Sequence, residues 1–244
     1  MNSVICLVPI YQNQLMGNDK TSYERLREKL HRTEIAFIAP CDLDLKWYKS
    51  EYPEIKCHVF SEWSRHSIDD YNQLMLNADF YQEFNSYDYL FIFQTDALFL
   101  GTEEQLLKFS DMNYDYFGAP WGMDGMRFIN RVIPGAGHSR LLRILEGEII
   151  ARVGNGGVSL RKTSAMISFL NKHEKQIAEW EKAEDLFIGY YGAKHPKSIR
   201  LPDVDTAYQF AAEMDMEQRI KAGHIPMAVH KWETFFPNIE EYIK

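Results

Sequence analysis

Three cysteines in 244 residues, Cys6, Cys41 and Cys57, form no C-x-x-C pair and are odd in number. A disulfide framework is therefore not expected, and reduced thiols suit a cytoplasmic chain. No stretch approaches about 18 consecutive apolar residues, so no transmembrane helix is expected. Met1-Asn2-Ser3 lacks a basic region and the apolar run from Val4 stops at Pro9, a pattern unlike a signal peptide. Positive charge is also scarce: 27 Lys and Arg against 35 Asp and Glu leave −8. That balance disfavours nonspecific nucleic-acid binding, which needs a basic footprint to replace condensed counterions. The chain has no G-K-[ST] after its glycines, no G-x-G-x-x-G, and no H-E-x-x-H or H-x-x-x-H. A Walker loop, a dinucleotide loop and a zinc hydrolase therefore have no support.

What is present is a globular α/β pattern. The 45% hydrophobic and 25% charged residues argue against a disordered chain. Val4–Ile10, Ile35–Ala39 and Ile55–Phe60 read as short buried strands, and Thr21–Leu30 as an amphipathic helix. Ile68–Phe84 carries apolar residues on a helical period, and Tyr87–Leu100 is the strongest strand signal. Strands and helices joined by short connections imply a mostly parallel α/β sheet with ligands at the strands' carboxyl ends. A second half starts near Tyr114. Its readings are a strand at Tyr114–Ala119, a glycine turn and strand at Gly154–Leu160, and helices at Thr163–Lys175, Ile177–Lys182 and Thr206–Met216. A last strand is expected at Ile225–His230. The two halves, 1–113 and 114–244, are expected to share one sheet within a single domain.

Four places carry candidate chemistry. Asp96, in Gln94-Thr95-Asp96, interrupts an apolar strand, and a buried carboxylate there needs a partner or a metal. It either holds a divalent cation or caps the next turn before Gly101. Gly154-Asn155-Gly156-Gly157 either lets backbone approach a ligand or makes a tight turn into the following strand. Glu184-Asp185 leads an apolar run, so the acids either favour a helix dipole or place a general base in a cleft. His230, in Val229-His230-Lys231-Trp232, is either a ligand or an ordinary core residue.

Taken in order, the blocks YNQLMLNADFYQEF (71–84), YDYLFIFQTDALF (87–99), YDYFGAPW (114–121), VGNGGVSLRK (153–162), EDLFI (184–188) and HKW (230–232) resemble a family of glycosyltransferase-like proteins of unknown function. The later blocks also resemble the β-1,4-galactosyltransferases. The resemblance implies a GT-A-like, Rossmann-related α/β fold with a mostly parallel central sheet flanked by helices. It implies a hexosyltransferase-type enzyme of polysaccharide biosynthesis. Such an enzyme moves a sugar from a nucleotide-diphosphate donor, UDP in the first instance, to a hydroxyl of a glycan or lipid-linked glycan, with inversion. Nucleic acid is not an expected partner, whereas a peripheral membrane association suits a lipid-linked acceptor.

The resemblance assigns roles residue by residue. Asp96 and His230 hold Mn2+ or Mg2+ against the donor diphosphate, although Gln94-Thr95-Asp96 keeps one acid where many GT-A enzymes show Asp-x-Asp. Pro9, Ile10 and Tyr11 line the base pocket with Tyr71 and Asn72 beside them, and Gln94, Thr95, Gly156, Gly157 and Lys231 complete the donor site. Asp185 is the base, held ionised by the helix start, and Glu184 binds an acceptor hydroxyl. Trp121 offers a ring face to the acceptor sugar. The segment 122–153 carries five arginines against three acids, and is read as a lid or acceptor platform in which Arg127, Arg131 and Arg140 meet phosphate, or else as a solvated charged helix. Two other readings stay open: a nucleotide-sugar-binding module without turnover, and a nucleotidyltransferase.

Overall fold

The computed structural model describes residues 2–121 and 153–243. Arg127, Arg131 and Arg140, and the 122–153 platform except Val153, lie outside the described residues.

Six strands form the central sheet: β1 (Val4–Pro9), β2 (Glu34–Pro40), β3 (Lys56–Phe60), β4 (Tyr89–Phe93), β6 (Tyr116–Pro120) and β7 (Val153–Lys162). Their order is β3-β2-β1-β4-β7-β6, with β1, β2, β3 and β4 mutually parallel and β7 antiparallel to both its neighbours. Strands from both halves of the chain therefore share one sheet. A smaller sheet, β5-β9-β8, is built from β5 (Ala97–Phe99), β8 (Ala211–Ala212) and β9 (Ala228–His230).

Alternation along β1 sorts its side chains into two cores. Val4, Cys6 and Val8 pack with Tyr23, Phe37, Tyr48 and Tyr52, under α1 (Gly17–Lys29) and α2 (Lys46–Glu51). Ile5 and Leu7 pack with Phe80, Tyr81, Phe169 and Phe187 on the other face. Those rings come from α4 (Ala78–Glu83), α6 (Thr163–Lys172) and α8 (Glu184–Lys194). With both faces covered, the central strands are buried throughout, which is why they read as continuous apolar runs. A third cluster, including Leu98, Val229, Trp232 and Ile239, closes the small sheet. Cys6, Cys41 and Cys57 are free thiols. Among the described residues no helix is long and apolar enough to cross a membrane.

Several boundaries differ from the sequence expectation for identifiable reasons. The helical period over 68–84 belongs to two helices, α3 (Ile68–Met75) and α4, because Asn77 Oδ1 accepts from Asp79 N–H and starts the second. The run Tyr87–Leu100 is two strands in different sheets, β4 and β5, separated by Gln94-Thr95-Asp96. The glycines of 154–157 form no turn: they lie inside the ten-residue β7, whose pairing with β6 shifts register around Ala119. Helix α9 (Val204–Phe210) ends before Met216 because the chain pairs as β8 from Ala211. Helix α7 (Glu174–Ala178) likewise stops short of Lys182, at the Trp180 turn. Helix α5 (Glu103–Asp111) was not anticipated, although Thr102 and Gln105 cap it reciprocally.

Glu103, at the start of α5, is nearly enclosed and joins the sheet to the loop before β2. Its carboxylate accepts from the Arg32 and Thr33 backbone N–H groups at 2.8 and 2.6 Å and from Arg32 Nε at 3.0 Å. Burial alone would raise its pKa, but these donors outweigh it and pull it down to about 2. A depressed carboxylate stabilises the fold above the unfolded pKa and loses that contribution as pH falls toward the folded one. Glu103→Gln should therefore cost about 2 kcal/mol at pH 7, with the gap to wild type closing between about pH 5 and pH 2. Denaturant unfolding at several pH values measures it, and a gap that does not change with pH would reject the assignment.

Candidate active site

The carboxyl ends of β1 and β4 open into two adjoining clefts that share Lys231. The first, of about 360 Å3, is lined by Pro9 at the end of β1 and Tyr11 just beyond it, Tyr71 on α3, Gln94 after β4, and Lys231. Trp63, which sequence reasoning missed, completes its aromatic wall, with its ring centroid 5.2 Å from that of Tyr71. Tyr11 is 46% and Ile68 80% exposed at its rim, so apolar surface is held open to solvent here. Ile10 and Thr95 are buried rather than presented to this cleft, Ile10 tied by its N–H to the Ile38 carbonyl at 2.9 Å. Asn72 is committed elsewhere: its Oδ1 accepts from Glu184 N–H at 3.2 Å and caps α8.

The second cleft, of about 340 Å3, is polar, with Asp96, Asp19, Glu233 and Lys231 in its wall. Antiparallel pairing sets His230 opposite Ala97, which brings its ring to Asp96. His230 Nε2 lies 3.1 Å from Asp96 Oδ1 and 3.1 Å from Gln94 Oε1, and its N–H is aligned with Gln94. Asp96 Oδ1 is shielded from solvent and accepts no hydrogen bond from the described residues. On the other side of the ring, Nδ1 donates to Glu213 Oε2 at 3.0 Å. Glu213 in turn accepts from Asn155 Nδ2 and lies 3.7 Å from Lys231 Nζ. Burial works against charge on His230, but the adjacent carboxylates of Asp96 and Glu213 prevail and raise its pKa to about 9. Asp96 is held below the usual carboxylate range, since its interaction with His230 outweighs the cost of burial. Glu213 escaped the sequence reading because only the parallel register of β8 with β9 puts the residue after Ala212 level with His230.

Strand β7 joins this cluster to the acids of α8. Gly157 accepts the Gln94 N–H at 2.9 Å, and a Cβ on Gly157 would lie 2.1 Å from His230 Nε2. One residue earlier, Gly156 N–H donates to Asp185 Oδ2 at 3.2 Å. Asp185 Oδ1 accepts from Leu186 N–H at 2.7 Å, and the side chain keeps an edge toward solvent. The expectation that the helix start holds Asp185 fully ionised is corrected. Burial first, and then the neighbouring Glu184 charge, raise its pKa to about 7 against the pull of the two N–H donors. Glu184 is not free to bind a ligand: it is 4% exposed, and its Oε1 pairs with Arg161 Nη2 at 2.9 Å. Trp121 sits beside the same strand, its Nε1 buried without a partner among the described residues and 3.0 Å from a Cβ built on Gly154.

Residues 54–230 match the family model described as "Protein of unknown function (DUF5672)". The chain belongs to that family. No curated protein matches it in sequence. Among solved structures, this DUF5672 chain is similar to the bifunctional glycosyltransferase WbbM, with a TM-score of 0.57 and 9% identity over 94% of this chain and 45% of that one. It thus spans less than half of WbbM. It is also similar to mouse xyloside xylosyltransferase 1, with a TM-score of 0.56 and 12% identity over 94% and 96% of the two chains. At these identities the likeness concerns the fold, which is GT-A-like.

Because Gly157 has no room for a side chain, Gly157→Ala must displace the His230 ring or bend β7. A cost of about 1–3 kcal/mol is expected, measurable as a lower denaturant midpoint. An unchanged midpoint would mean that His230 is not packed on this strand.

Proposed function

We propose that this protein is a glycosyltransferase that uses a nucleotide-diphosphate sugar and inverts the anomeric configuration. One observation carries the reading. The consecutive glycines 156 and 157, whose Cα atoms are about 3.8 Å apart, hold Asp185 by a hydrogen bond and back the His230 ring. A candidate base and a candidate leaving-group site are therefore adjacent along one strand, beside an aromatic cleft. The shared fold with glycosyltransferases supports the reaction class.

In this reading the base stacks among Tyr11, Trp63 and Tyr71, and Lys231, common to both clefts, meets the diphosphate. Among the described residues no three acid, histidine or cysteine side chains converge as a cation cage. The pair Asp96 and His230 nevertheless fits a divalent cation completed by substrate phosphates. Asp96 Oδ1 lacks a hydrogen bond from the described residues, and Glu213 anchors the far nitrogen of His230 as outer carboxylates anchor metal-bound histidines. Mn2+ or Mg2+ bound there would supply neutralisation of the departing diphosphate.

The acceptor hydroxyl oxygen attacks the anomeric carbon as the bond from that carbon to the diphosphate oxygen breaks. The bonding pair leaves with the nucleoside diphosphate, and Asp185 takes the hydroxyl proton. A carboxylate with a pKa near 7 suits this task, because a substantial fraction is ionised at neutral pH while the group is basic enough to accept the proton. In this reading Trp121, next to Gly154, faces the acceptor sugar.

With a panel of sugar nucleotides and glycan acceptors, wild type should release nucleoside diphosphate and form a product of opposite anomeric configuration. Asp185→Asn should lower kcat at least about 10²-fold and leave donor affinity unchanged. Donor binding without release in wild type would favour a binding module instead. A retained configuration or near-normal kcat in Asp185→Asn would reject Asp185 as the base.

A further inference from the structure

Arg161 is fully buried and heads the enclosed side chains by size. Its guanidinium donates to Ser159 Oγ, Tyr81 OH and Glu184 Oε1, each at 2.9 Å, and to the Gly156 carbonyl at 3.4 Å. Glu184 is also buried, and its Oε2 has no hydrogen-bond partner among the described residues. As a means of stability this is an expensive arrangement, since apolar side chains of similar size commonly hold such a place as well or better. What apolar groups would not provide is the connection to Asp185. Arg161 grips the Gly156 carbonyl, and the Gly156 N–H binds Asp185 Oδ2. Arg161 also grips Glu184, the residue before Asp185 in the first turn of α8.

We infer that the buried Arg161–Glu184 pair is a positioning unit for Asp185: Arg161 fixes both backbone segments that hold its carboxylate, and Glu184 sets a second negative charge beside it. The inference rests on reading Asp185 as the base. The groups facing Asp185 are Glu184 from its own helix, Tyr116 from β6, Arg161 from β7 behind Glu184, and Glu213 after β8. Burial keeps the Tyr116 phenol neutral, and Glu213 adds a smaller push in the same direction as Glu184. Burial also raises the Glu184 carboxyl, and Arg161 opposes that rise. Because a guanidinium does not lose its proton in a protein, neutral Glu184 would leave a buried cation unpaired. The pair thus stays charged at neutral pH, and its acidic member keeps the Asp185 proton affinity near the working pH.

Glu184→Gln keeps the size of the side chain and an oxygen for Arg161 but removes the charge. Carboxyl 13C NMR, with Asp185→Asn to assign the resonance, should place the wild-type Asp185 titration near pH 7. In Glu184→Gln it should fall by about one pH unit. The acid limb of the kcat profile should move to lower pH with it, with donor KM unchanged. Glu184→Asp, which restores the charge, should return the titration toward the wild-type value. An unshifted titration in Glu184→Gln, or an equal shift in Glu184→Asp, overturns the inference. The NMR result stands without turnover, so a shifted titration in a protein that transfers no sugar would fault the glycosyltransferase reading alone.

Discussion

Two adjacent residues without side chains, Gly156 and Gly157, set the spacing of the whole site. A Cβ on the first would meet Glu184 Oε1 at 2.2 Å, and one on the second would meet His230 Nε2 at 2.1 Å. Helix α8 and the His230 turn can therefore approach β7 only because nothing projects between them. The Gly157 carbonyl also receives the Gln94 N–H, which ties the end of β4 to the same point. Three elements remote in sequence are thus drawn to one dipeptide, and the candidate donor and acceptor groups come from those elements.

Close approach of this kind concentrates charge out of water, and the site answers it by pairing. Asp96 and Glu213 flank His230, and Glu184 is matched by Arg161. Asp185 has no cationic partner within salt-bridge distance among the described residues, only two backbone N–H donors and a like-charged neighbour. The consequence is a division of behaviour between adjacent acids of α8. One is spent on holding structure, while the other retains a proton affinity useful at neutral pH.

The GT-A-like fold is shared with WbbM and the xylosyltransferase at identities of 9% and 12%. At that distance little of the sequence beyond hydrophobic alternation and the placement of turns can be held in common, so the fold constrains where a site lies more than what it does. Here the candidate site lies at the carboxyl ends of parallel strands, where open α/β sheets bind ligands. Its lining carries a single acid after β4, with Gln94 and His230 beside it.

The sequence by itself determined the central sheet's strands and their burial. Runs such as Val4–Ile10 and Tyr87–Leu100 are local signals, and strand burial on both faces writes itself directly into hydropathy. Asp96, His230, Asp185 and the paired glycines were also legible as candidates, through motif and resemblance, and the structure brings them close together. Only the tertiary structure decided which groups meet. Glu213 reaches His230 through strand register, Trp63 reaches the cleft from a loop, and Arg161 turns inward with Ser159 while Val158 and Leu160 face the opposite core. The role of Glu184 changed for the same reason, since its partner lies 23 residues away in sequence yet 2.9 Å away in space. Local sequence fixes the direction of a chain and the chemistry it carries, but contact between distant segments depends on register and packing, which no single segment encodes.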